Sequence, residues 1–128
     1  MQKLNQSYIK SVVKKALDED LKPRGDITTN LIKFKNKKAK AQIVAKQDGI
    51  IAGLDFCKTA FKLVGKETIF ISKVKDGAKV KKNKVIAEIK AKTKTILIAE
   101  RTALNFLNHT SGIATLTNQF KQKVNKKT

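Results

Sequence analysis

The sequence predicts an α+β fold, an open and mostly antiparallel sheet flanked by helices. Three observations predict it. Apolar residues recur at helical spacing near the start and again after residue 95. Runs that alternate lysine with apolar residues fill the middle and are bounded by Asp-Gly and Gly turns. Helices and strands come in blocks rather than as a βαβ series, which argues against a parallel doubly wound sheet.

The elements follow in order. Tyr8, Ile9, Val12, Val13, Ala16 and Leu17 share one face of a helix over residues 6–20, and Asn5 or Ser7 can cap its start. KPRGDITTN holds the only proline and a Gly-Asp pair, which mark a turn. In KKAKAQIVAKQDGIIAG the alternation gives a half-buried strand, a turn at Asp48-Gly49 and a short buried strand. LDFCKTAFKLVG spaces Leu54, Cys57, Phe61 and Leu63 or Val64 as a helix that Gly65 can terminate. TIFISKVKDGAKVKKNKVIAEIKAK reads as two or three strands around Asp76-Gly77, a dipeptide suited to a hairpin turn. From Thr95 to Leu107 the spacing is helical again, and Ser111-Gly112 punctuates it before a second helix to about Val124.

At 128 residues the chain is one ordinary domain, able to bury a core without staples. The single Cys57 rules out an internal disulfide, and its spacing from the single His109 does not resemble a metal site. The start is amphipathic rather than continuously apolar, so neither a signal peptide nor a membrane span is expected, and a cytoplasmic protein is. The net charge of +19 exceeds what solubility asks of a small domain and attracts anions of any size. The lysines are scattered and accompany many isoleucines and asparagines, however, and with 5% aromatic residues there are few platforms on which bases can stack. Nucleic acid is therefore disfavoured as the chief partner.

The chain uses lysine almost everywhere, so the arginine in ERTALNFLNHTSGIAT is informative. On a helix Arg101, Asn105 and Asn108 line up as one polar stripe beside Ile96, Leu97, Ala103, Leu104 and Leu107, with Glu100 among the apolar residues. An arginine beside a glutamate is commonly a structural ion pair. A guanidinium also presents a rigid fork that can hold a carboxylate bidentately, which makes Arg101 the candidate for gripping an anion.

The motifs GDITT, GIIAG, DGAKVKKNKVIAEI, ERTALNFL and SGIAT stand in series along nearly the whole chain. Together they resemble the N-terminal domain of quinolinate phosphoribosyltransferase, also called nicotinate-nucleotide pyrophosphorylase (carboxylating). The resemblance implies a hammerhead or barrel-sandwich-like sheet with helices over residues 1–110, and a helix over 111–128 leading toward an α/β barrel that this sequence does not include. It implies a homodimeric enzyme of NAD biosynthesis that joins phosphoribosyl pyrophosphate to quinolinate, giving nicotinate mononucleotide, pyrophosphate and carbon dioxide. Mg²⁺ would accompany the pyrophosphate in the intact enzyme and not be held by this chain. Arg101 would reach a quinolinate carboxylate across the subunit interface, with Glu100 and Asn105 in support. The catalytic groups would lie in the barrel, so no catalytic residue and no activity are expected of this chain alone, which needs a second copy or a complementing barrel domain.

The remaining features receive simpler expectations. Asp26 and Thr28 fit a turn and a helix cap, Ser111-Gly112 a cap, His109 a surface or interface position, and Cys57 a small buried hydrophobe. Ile96, Leu97, Leu104 and Leu107 are expected to be uncovered in the isolated chain. Three rival readings are a basic nucleic-acid module, a molybdenum-transport homologue of the same family, and a biotinyl or lipoyl carrier with a modified lysine in DGAKVKKNKVIAEIKAK.

Overall fold

The computed structural model describes residues 5–21, 37–115 and 120–126. Its elements run α1 (Gln6–Leu21), β1 (Lys38–Ala45), β2 (Gly49–Ile50), α2 (Leu54–Val64), β3 (Ile69–Ser72), β4 (Lys79–Val80), β5 (Val85–Lys92), α3 (Thr93–Thr115) and β6 (Phe120–Lys126). The α+β expectation holds. A four-stranded sheet has the order β3-β5-β1-β6, a two-stranded sheet pairs β2 with β4, and every pairing among the described residues is antiparallel.

The lysine-apolar alternation of β1 is the clearest case of sequence becoming structure. Ala39, Ala41, Ile43 and Ala45 are buried while the residues between them face outward, as a period of two requires. Across β5 the inward set continues through Ala87 and Ile89, which are register partners of Ile43 and Ala41. The register slips between Ile43 and Val44, leaving Ile86 of β5 without a directly opposed residue. That bulge is why Ile86 and Ala87 are consecutive in sequence yet both buried. Small alanines dominate this face, so the helices can approach the sheet closely.

α1 buries Ile9, Val13 and Leu17, spaced four apart on one face. Asn5 starts it, its side-chain oxygen accepting the Ser7 N–H at 2.7 Å, so Asn5 rather than Ser7 is the capping residue. α2 buries Leu54, Cys57, Ala60 and Phe61, and Gly65 closes it with a backbone N–H donated to the Phe61 carbonyl. Stacking of Phe56 on Phe106, with centroids 5.2 Å apart, ties α2 to α3.

Three expectations are corrected. The helix expected after Ser111-Gly112 does not form. α3 runs through both residues to Thr115, and residues 120–126 form strand β6 along β1. The lysine-rich tail was readable as helix by composition, but an open edge of β1 offers it a full ladder of hydrogen bonds. Asp76-Gly77 makes a turn, with Gly77 at φ +90°, yet the strands beside it do not form a hairpin, since β3 pairs with β5 and β4 with β2. Finally, Ile96 and Leu107 are fully buried within the chain itself, and Leu97 and Leu104 are half-buried. Among the described residues the exposed large apolar ones are Tyr8, Ile69 and Ile71. The expected turn around Pro23 and Gly25, with Asp26 and Thr28, lies outside the described residues.

Candidate functional site

α3 begins where β5 ends. The Thr93 backbone N–H and hydroxyl both donate to the Lys37 carbonyl, at 2.8 and 3.0 Å, which fixes the helix start against the entry to β1. Ile96, Ala99, Ala103, Leu107 and Ser111 then recur every three or four residues and are all buried. This stripe decides which residues face away from the core.

Arg101 is one of them. It is exposed, its neighbours one turn before and after are the half-buried Leu97 and Leu104, and it forms no ion pair or hydrogen bond with a described residue. The structural ion pair with Glu100 does not form: Glu100 is half-buried and engaged elsewhere. Asn105 is exposed a turn farther on. Asn108, half-buried, completes the polar stripe, and its Oδ1 is buried without a hydrogen-bond donor. An exposed guanidinium flanked by leucines, with an unsatisfied acceptor two turns away, suits an incoming anion or a packed surface that brings its own donor.

Beside this stripe runs a groove that the sequence did not disclose. Glu19 and Asp20 at the end of α1 face Thr102, Asn105 and His109 of α3 across it. The Thr102 hydroxyl donates to Asp20 at 2.5 Å. The residues lie some eighty positions apart in the chain, so no local pattern joins them. The one available signal was three successive acids, Asp18 to Asp20, at a helix C-terminus, where the helix dipole disfavours them. His109 is exposed at this groove, in keeping with a surface position.

The far end of α3 joins the other motifs. The Thr110 hydroxyl donates to the Ala52 carbonyl, and Ser111 Oγ accepts the Ala52 N–H at 2.9 Å and donates to the Ala52 carbonyl at 3.1 Å. Ser111 is therefore a buried tie inside the helix, not a cap. Gly53 follows at φ +91°, and a Cβ there would fall 2.1 Å from Thr110 Oγ1, so only glycine fits. Asp76 Oδ1 accepts the Leu54 N–H at 3.1 Å at the start of α2, and the Gly77 N–H donates to the Ile51 carbonyl at 2.7 Å. GIIAG, DGAKV and SGIAT thus meet in one hydrogen-bonded knot.

Residues 26–111 match the family model described as quinolinate phosphoribosyl transferase, N-terminal domain. The chain belongs to this family. A Methanocaldococcus jannaschii protein named "Probable nicotinate-nucleotide pyrophosphorylase [carboxylating]" is 43% identical over 117 residues, 91% of this chain and 39% of that protein. Quinolinate phosphoribosyltransferase [decarboxylating] 1b of Nicotiana tabacum is 37% identical over 109 residues, 85% of this chain and 31% of its own length. The solved nicotinate-nucleotide pyrophosphorylase of Francisella tularensis superposes with a TM-score of 0.79 at 32% identity, covering 88% of this chain and 39% of that one. The chain thus spans less than two fifths of the length of these relatives.

Within this quinolinate phosphoribosyltransferase N-terminal domain, no three His, Cys, Asp or Glu side chains among the described residues come together as metal ligands. No described helix is long and apolar enough to cross a membrane. The carrier-type hairpin is not formed, because β4 and β5, on either side of Lys81 to Lys84, pair with different strands.

Proposed function

We propose that this chain supplies the N-terminal domain of a quinolinate phosphoribosyltransferase, which forms nicotinate mononucleotide, carbon dioxide and pyrophosphate in NAD biosynthesis. The observation that carries the reading is Arg101: an exposed guanidinium with no partner among the described residues, inside the segment that the family model matches, between half-buried leucines. Its place is the active site of a second copy or of a complementing α/β barrel portion. There it holds a carboxylate of quinolinate in a fixed plane, while the leucines beside it exclude water and strengthen the grip. Asn105, exposed one turn farther on, would reach the same carboxylate, whereas Glu100 is engaged elsewhere. Orientation of the ring nitrogen toward the phosphoribosyl carbon is the contribution this domain makes to the rate, through positioning rather than proton transfer. The protein works in the cytoplasm as a homodimer or complemented assembly.

The test is turnover of quinolinate and phosphoribosyl pyrophosphate with Mg²⁺, by this chain alone and with a separately expressed barrel portion that lacks its own equivalent of Arg101. Activity in the mixture only, lost on Arg101→Ala, is the expected result. Equal activity of the Arg101→Ala mixture overturns the assignment.

A further inference from the structure

α1 and α2 leave a groove of about 520 Å³ between them, and its walls are basic. Lys58 and Lys62, one turn apart on α2, and Lys66 just past its end form a row along one side. Lys10 of α1 lines the same groove. Asp55 is the one acid among the lining residues, and none of the four lysines makes an ion pair with a described residue. Lys58 and Lys62 stand at a spacing where like charges weaken a helix.

The floor of the groove is fixed. Thr59 is 6% exposed, and its hydroxyl donates to the Asp55 carbonyl at 2.7 Å and accepts from Gln6 Nε2 of α1 at 3.3 Å, which ties the two walls together. Half-buried Leu63, one turn on, adds an apolar strip. A groove whose walls are already tied loses little freedom when it is filled.

We propose that this groove binds an acidic peptide segment of a partner protein in extended form, its carboxylates on alternate residues meeting Lys58, Lys62 and Lys66, with Lys10 closing from the opposite wall. Lysines four apart on a helix stand about 6 Å apart along its axis. Alternate residues of an extended strand lie about 6.7 Å apart, so acids at every second position keep pace with the row. A single compact anion would meet one or two of these ammonium groups and leave the others unused. No aromatic residue lines the groove, so unpaired bases have nothing to stack on. A duplex, whose major groove alone is about 12 Å wide, does not fit between packed helices with axes about 8–10 Å apart. No residue of α3 lines the groove, so the proposal stands apart from the role given to Arg101.

The experiment is fluorescence-anisotropy titration of the full chain, at low and at physiological salt, with three labelled probes: a peptide of alternating glutamate and serine, a glutamine-serine peptide of the same length, and a single-stranded oligothymidylate. Expected are saturable binding of the glutamate peptide, weakened by salt, and at least tenfold weaker binding of the glutamine peptide. Lys58→Gln with Lys62→Gln is expected to weaken the glutamate peptide at least tenfold and to leave the melting temperature unchanged or raised. Lys10→Gln, on the opposite wall, is expected to weaken it at least threefold. Lys81→Gln with Lys82→Gln, in the turn between β4 and β5, serves as the charge control and is expected to change affinity less than twofold. The proposal is overturned by an equal loss in the control, which would show diffuse attraction, or by no binding of the glutamate peptide. It is also overturned by oligothymidylate that binds more tightly and depends on the same groove lysines, which would assign the groove to nucleic acid.

Discussion

Arg101 and Ser111 lie about 15 Å apart along one helix, and their surroundings are opposite. Around Ser111 the motif polar groups are turned inward: Thr110 and Ser111 bind Ala52, Asp76 caps α2, and Gly53 lets the backbone pass close to Thr110. Around Arg101 the guanidinium is exposed without a partner among the described residues, and Asn108 Oδ1 has no donor among them. Motif residues that close on one another maintain the fold, whereas those left open are available to something outside the chain. The sequence presents both sets with equal emphasis.

Substitutions can break or sharpen that contrast. The largest effect is expected from Gly53→Ala, which combines a left-handed backbone with a Cβ driven into Thr110. A loss of about 3 kcal/mol or more in chemical denaturation is expected, and a change under about 0.5 kcal/mol would show that the knot is soft. Arg101→Ala should do the reverse. Activity of the complemented enzyme should fall about 100-fold, equivalent to ~2.7 kcal/mol, while stability of the chain stays within ~0.5 kcal/mol. A stability loss matching the activity loss would erase the distinction between the two regions. Ser111→Ala removes the hydroxyl and strands the Ala52 N–H, for an expected cost of about 1–3 kcal/mol in stability; thermal melts would check it, with Ser111→Thr as the conservative comparison.

The smallest effect concerns Cys57, at 0% exposure on the buried face of α2. Burial pushes its thiol well above the ordinary range, because the thiolate would lose its hydration. A folded value above the unfolded one gives stability that is complete below the unfolded value of about 8.5 and declines as pH rises past it. The decline by pH 9 should stay under about 1 kcal/mol, and Cys57→Ala should remove that part of the slope. Alkylation of native protein should be slow and follow unfolding.

The same division governs how much was readable. The period-two burial of β1 and the period-3.6 stripe of α3 came from local spacing, and the structure keeps both. Arg101 stood out because a chain of lysines used a guanidinium there. The fate of residues 120–126 was not readable, since a lysine-rich run has no decisive period and the free edge of β1 settles it as a strand. Nor was the partnership of Asp76 with Leu54, whose separation in sequence conceals a cap supplied from another turn. The reversal between β4 and β5 instead uses Asn83 at φ +76°, a residue type tolerant of that conformation but easily passed over among lysines.

By itself, then, the sequence determined the α+β class, the family and the candidacy of Arg101, because periodicity and motif order are properties of the chain. Only the tertiary structure decided that Ser111 faces inward to Ala52 and Arg101 outward, and that Glu19 and Asp20 meet His109 across a groove. It also set four lysines along one groove between α1 and α2. The physical reason is that hydrogen-bond satisfaction and charge proximity depend on distances in space, and strand register and helix packing bring together residues that the chain keeps far apart.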